Sequence, residues 1–261
     1  MKLKHIVIPL FVALATCNLG ALSLAAGQPV QTHPAVEQQG AYTYSFRVGD
    51  IRITALSDGT VPGDLHELLR DTTNQKTDGF LKKGFVANPL AFPNATVHVG
   101  KADVEFFQDR SNAAKAHYGM NYFDDYFASL QHYVDAGKVQ TFAGTTVIVP
   151  GITATVHPGH TPGSAFYTLE SAGQQIVFVG DIIHVGEVQF PEPAITITYD
   201  VDRKQAAQVR EAAFATFAHN GTLIAIPHIP YPGVGHIRAA GTGYEWVPIV
   251  YGNRDTSKKW Q

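Results

Sequence analysis

Three residues able to bind a divalent cation stand just beyond apolar runs. His160 lies in the loop Val156-His157-Pro158-Gly159-His160-Thr161-Pro162-Gly163, which follows the run Ile152 to Val156. Asp181 follows Ile176-Val177-Phe178-Val179-Gly180, and His228 follows Leu223-Ile224-Ala225-Ile226-Pro227. Neutral imidazoles and an ionised carboxylate are donors that zinc and similar ions accept. A carboxylate at the end of a buried strand is costly unless its charge is matched, and a cation would match it. Singly, each residue reads as a turn histidine or a turn aspartate. The repeated placement at strand exits is what joins them into a candidate site. His157, His184 and His236 lie near these segments and rank below them, while His98, His117, His132 and His219 read as surface or helix residues. Ser164 lacks the Gly-x-Ser-x-Gly turn that would expose a nucleophile. No Gly-x-Gly-x-x-Gly and no phosphate-cradling lysine motif supports nucleotide chemistry.

Those loops need a sheet to hold them. Tyr44 to Val48 and Ile51 to Leu56 alternate about Gly49-Asp50 and predict a hairpin. Thr77 to Phe85 and Lys101 to Phe107 predict short helices, and Asn121 to Val134 a longer one with Phe123, Phe127 and Leu130 on one side. Short β-branched runs follow at Val139 to Phe142, Thr145 to Val149, Ile152 to Val156, Ala165 to Leu169 and Ile176 to Val179. Arg203 to Ala218 predicts an amphipathic helix and Leu223 to Ile226 a last buried strand. Strand-rich stretches precede helices without regular alternation, which points to layered sheets with helices outside.

The N-terminus carries Lys2 and Lys4, an apolar run from Ile6 to Ala15 and the small residues Ser23 to Gly27, the order of a secretory signal peptide over 1–26. A periplasmic or secreted protein is expected. Cleavage near Ala26 would remove Cys17, the sole cysteine, while Leu14-Ala15-Thr16-Cys17 offers lipoprotein processing as the alternative. Residues 27–43 read as a polar lead-in and 44–261 as one domain. Loss of Lys2 and Lys4 takes the formal charge from −3 to −5 and leaves no basic run. Nucleic acid and anionic membrane surfaces are therefore not expected partners, and the apolar run is too short for a membrane span.

Together the stretches Val48 to Thr60, Ala91-Phe92-Pro93-Asn94-Ala95, His160-Thr161-Pro162-Gly163, Gly180-Asp181, Val188-Gln189-Phe190 and His228 to Ala239 resemble the metallo-β-lactamase superfamily, specifically its exported branch of methyl parathion hydrolase and lactonase-like enzymes. The resemblance implies an α+β protein, an αββα sandwich with a two-metal site between its sheets. In that scheme His160 serves the first metal, Asp181 bridges both and His228 serves the second. Phe107 and Tyr122 take the place of the aromatic substrate-binding wall, with His184 beside them. The resemblance breaks at Asn88-Pro89-Leu90-Ala91-Phe92. Relatives carry there a long segment with core strands and a His-x-His-x-Asp-His loop, and this chain passes directly across. An internal deletion near 90–91 therefore truncates the first αβ half and removes four expected ligands. At most one zinc is expected on the three that remain.

Two functions compete on this sequence. The first is a metal-dependent hydrolase of a small-molecule lactone, ester or phosphotriester, with Asp181 in the catalytic role and His66, His98 or His117 available to complete the site. The second is a non-catalytic descendant or internally deleted product that acts as a binding or assembly module. Lost central strands would bare sheet edges and favour a homodimer.

Overall fold

A computed structural model describes residues 6–7, 43–56, 94–115 and 119–249. The predicted helix at Thr77 to Phe85, the break at Asn88 to Phe92, residues 27–42 of the polar lead-in, His66 and His117 lie outside the described residues. The strands are β1 (Ile6–Val7), β2 (Thr43–Val48), β3 (Ile51–Leu56) and β4 (Thr96–Gly100). Helices α1 (Lys101–Gln108), α2 (Asn112–Lys115) and α3 (Met120–Tyr126) follow, and α3 runs through a π-helical turn (Phe127–Gln131) into α4 (His132–Asp135). Next come β5 (Val139–Phe142), β6 (Thr145–Val149), β7 (Ile152–Val156), β8 (Ala165–Ser171) and β9 (Gln174–Phe178). The chain continues through α5 (Gly186–Gln189), α6 (Arg203–Asn220), β10 (Ile224–Ala225), β11 (Val234–Ala240) and β12 (Gly243–Pro248).

A seven-stranded sheet of order β12-β11-β10-β9-β8-β7-β6 forms the centre. Its strands alternate large apolar residues on both faces, as a doubly covered sheet requires. On one face Ala154, Tyr167, Leu169, Ile176 and Phe178 pack with Tyr44, Phe46, Val48 and Ile53 of the β2-β3 hairpin. On the other, Phe166, Val177, Val179 and Ile224 pack with Ala213, Phe214 and Phe217 of α6. Asp202 caps α6, its side chain accepting from the Gln205 N–H at 2.9 Å, and Gly221 at φ 62° ends it.

The opposing layer is divided. The hairpin is a two-stranded sheet by itself, and β4 lies in a separate three-stranded sheet of order β1-β4-β5. The mixed α+β architecture agrees with the sequence reading. The segment read as a leader supplies β1, which pairs parallel to β4 through Ile6 opposite Thr96 and Val7 opposite Val97.

Several elements differ in detail from expectation. The helix predicted over Asn121 to Val134 is interrupted by the π turn at Phe127–Gln131, with Phe123 fully buried and Phe127 and Leu130 only partly so. Strand β10 is shorter than the apolar run around it, because Ile226 leaves the ladder to bond the loop, its N–H donating to the Gly233 carbonyl at 2.8 Å. Strands β4, β11 and β12 carry too few alternating apolar residues to be read in advance.

Candidate metal centre

Strand direction gathers the candidate ligands. β7 and β9 each pair antiparallel with β8, so they run the same way, and β10 pairs parallel with β9. The C-terminal ends of β7, β9 and β10 therefore open on one edge of the sheet, and His160, Asp181 and His228 lie in the loops that leave them. His184, read from sequence as part of the substrate wall, joins the same cluster. The Asp181 Oδ2 atom is 3.6 Å from His160 Nε2, 3.7 Å from His184 Nε2 and 3.4 Å from His228 Nε2. His160, Asp181 and His184 each place one ligand atom within 4.8 Å of the others. The rings of His184 and His228 stack with centroids 4.5 Å apart, and those of His160 and His184 are 5.0 Å apart. His98 stands outside this group; its carbonyl accepts the Tyr167 hydroxyl at 3.1 Å.

Electrostatics matches a cation site. Burial raises the Asp181 proton affinity, but the contact with His228 and the neighbouring imidazoles outweigh it and hold the carboxyl below its ordinary range. Burial drives His184 down to about 4, so its ring is neutral and its lone pair is available. His228 is shifted upward by its contact with Asp181. Asp181 Oδ1 and His184 Nδ1 are buried with no hydrogen-bond partner among the described residues. An orphaned buried carboxylate oxygen beside clustered imidazoles is what a divalent ion would satisfy, so the residues fit such an ion.

The His160 loop is held from two sides. Gly159 sits at φ 148°, and a β-carbon there would lie 2.5 Å from the Ala206 nitrogen, so only glycine lets the loop lie on the first turn of α6. The carbonyls of Gly159 and His160 accept from the N–H groups of Asp202 at 2.9 Å and Val201 at 3.0 Å. From the other side, Asp103 in α1 accepts from the Gly163 N–H at 2.6 Å and the Thr161 hydroxyl at 2.9 Å. Behind the ring, His160 Nδ1 is 3.0 Å from Oδ1 of buried Asp200. Sequence reading missed Asp103 and Asp200. Asp103 carries only the signal of an acid in a helix's first turn, and Asp200 lies in an irregular segment without pattern.

A cavity of about 450 Å³ adjoins the centre, lined by His160 and Asp181 together with Val99, Phe107, Tyr126 and Leu130. Phe107 lines this cavity and stacks on Tyr126 at 5.5 Å. Tyr122 meets Tyr199 edge-on at 5.7 Å, and Tyr199 lies 6.1 Å from the His184 ring. Tyr122 therefore reaches the ligands through Tyr199.

The family model described as the metallo-beta-lactamase superfamily matches residues 90–228. Among solved structures, the chain is similar to the hydrolase AbOPH in the beta lactamase superfamily, with 28% identity and a TM-score of 0.64, over 82% of this chain and 99% of that one. It is also similar in fold to AidC, a dizinc quorum-quenching lactonase solved with a product, with 22% identity and a TM-score of 0.54, over 62% of this chain and 57% of that one. No curated protein matches the chain. The fold and the family match agree, and the chain belongs to the metallo-beta-lactamase superfamily.

Proposed function

We propose that the protein is a metal-dependent hydrolase of small molecules carrying a lactone, ester or phosphotriester bond, and that its ion is zinc. The observation that carries this reading is Asp181, whose Oδ2 faces three imidazole nitrogens at 3.4 to 3.7 Å while Oδ1 is buried without a partner. His160, Asp181 and His184 would hold the ion, with His228 at its more exposed side. A zinc ion bound there would polarise a carbonyl or phosphoryl oxygen and acidify a water.

The remaining chemistry belongs to the chain. Asp181, kept anionic, offers Oδ1 as an acceptor and does not store a proton. Neutral His184 adds no charge to repel an electrophile. Phe107, Tyr126 and Leu130 remove water from the apolar part of a substrate seated beside Asp181. Among the described residues no helix is long and apolar enough to cross a membrane. The charged, apolar and small-residue order of the N-terminus supports export to the periplasm or beyond.

The test is zinc content per chain after dialysis, measured beside His160→Ala and Asp181→Ala, with chelator-sensitive hydrolysis of lactone and phosphotriester panels. About one zinc per chain retained through dialysis, depleted in both variants as their affinity falls, together with turnover that chelation stops, is the expected result. A folded chain that retains no zinc and turns over nothing would overturn it in favour of a binding or assembly module.

A further inference from the structure

We infer that Asp200, braced by Arg210, is the positioning residue that sets the ring orientation and tautomer of His160. The inference rests on the metal-centre reading above. His160 can ligate through Nε2, the atom facing Asp181, only if its proton resides on Nδ1. Asp200 Oδ1 is 3.0 Å from that Nδ1 and acts as the acceptor that keeps the proton there.

The carboxylate has no freedom to turn away. It is wholly buried, its Oδ2 accepts from the Ile197 N–H at 3.1 Å, and Arg210 Nη2 stands 3.6 Å from the same oxygen. Arg210 is itself only 1% exposed. Its Nε donates to the Ile182 carbonyl at 2.6 Å, one residue beyond Asp181, and its Nη1 donates to the carbonyls of Pro193 at 2.8 Å and Ile195 at 2.6 Å. One guanidinium on α6 thus spans the segment after Asp181 and the carboxylate behind His160. Two loops from different strands are thus fixed relative to each other through a single side chain that does not line the 450 Å³ cavity.

Two measurements decide the matter. In the metal-free full chain, long-range 1H–15N spectra of the histidine rings, assigned with His160→Ala, should show the His160 proton on Nδ1, and Asp200→Ala should move it wholly or partly to Nε2. In chelator-competition titrations with zinc, Asp200→Ala should weaken binding by about 10- to 100-fold, and Asp200→Asn, which keeps an acceptor, by less. In a His160→Ala background the Asp200 substitutions should change zinc affinity by less than about two-fold, because their route to the ion has gone. An unchanged tautomer in Asp200→Ala, or equal weakening with and without His160, would overturn the inference. Should Asp200→Ala fail to fold, Asp200→Asn in both backgrounds supplies the same comparison. If the wild-type chain binds no zinc, the metal reading falls, while the tautomer measurement still decides the role of Asp200.

Discussion

Replacing Arg210 by methionine keeps an apolar stem while deleting every donor. The loss includes three hydrogen bonds from a charged group, to the carbonyls of Ile182, Pro193 and Ile195, and the cation facing Asp200. Hydrogen bonds from charged donors contribute about 1.5 to 3 kcal/mol each, and the orphaned carbonyls recover part of this by admitting water. Breaking a buried ion pair from one side costs about 3 to 5 kcal/mol, reduced here because Asp200 keeps the Ile197 N–H and His160 as partners. A net destabilisation of about 5 kcal/mol follows, which for a domain of this size lowers the melting temperature by about 10 to 20 °C. Thermal melting followed by circular dichroism reads the shift. Arg210→Lys should fall between wild type and Arg210→Met, since one ammonium can meet some of these acceptors but not all. An Arg210→Met protein melting within about 3 °C of wild type would refute the view that these contacts hold the segment between Asp181 and Asp200.

Gly159→Ala should cost about 1 to 3 kcal/mol from its φ of 148° alone, before the clash with the Ala206 backbone, and should also lower the zinc bound per chain as His160 shifts. Urea melts and metal analysis on one preparation read both effects. His157 stacks on Phe166 at 4.0 Å, and burial lowers its proton affinity below the ordinary 6.5. Its contribution to stability is therefore complete above pH 6.5 and is lost as pH falls below that value, because the unfolded ring takes up the proton first. His157→Phe should keep the stack and flatten the acid side of the stability profile. Dialysis against a chelator should lower the melting temperature, and zinc at 100 times its Kd should restore about 2.7 kcal/mol; no response to either treatment would count against a bound ion.

The legible part of the molecule was the part with periodic sequence. The hairpin about Gly49-Asp50, strands β6 to β9 and helix α6 all followed from alternation or helical spacing, and the placement of His160, Asp181 and His228 at strand exits followed from them. His184 was read as substrate wall because it lies beyond the strand end, three residues after Asp181, and only the fold of the 181–186 loop brings its ring back. Arg210 was hidden by its setting, since an arginine on an amphipathic helix normally faces water, and nothing local reveals that carbonyls from 15 to 28 residues away meet it. Asp103 and Asp200 were hidden likewise, since their partners are distant in sequence. Patterns of hydropathy report which face is buried; they do not report which buried polar group answers which.

The common direction of β7, β9 and β10 depends on parity. A single strand, β8, separates β7 from β9, so two reversals return the chain to its starting direction. Inserting or removing strands in pairs would preserve that direction, whereas a change by one would send His160 to the far edge. None of the three exits draws on the β2-β3 hairpin or on β4 for its direction. The layer that the resemblance marks as curtailed could therefore be rebuilt or pared back during descent while this half kept its donors aimed at one point, like a hinge plate that stays square when the door is replaced.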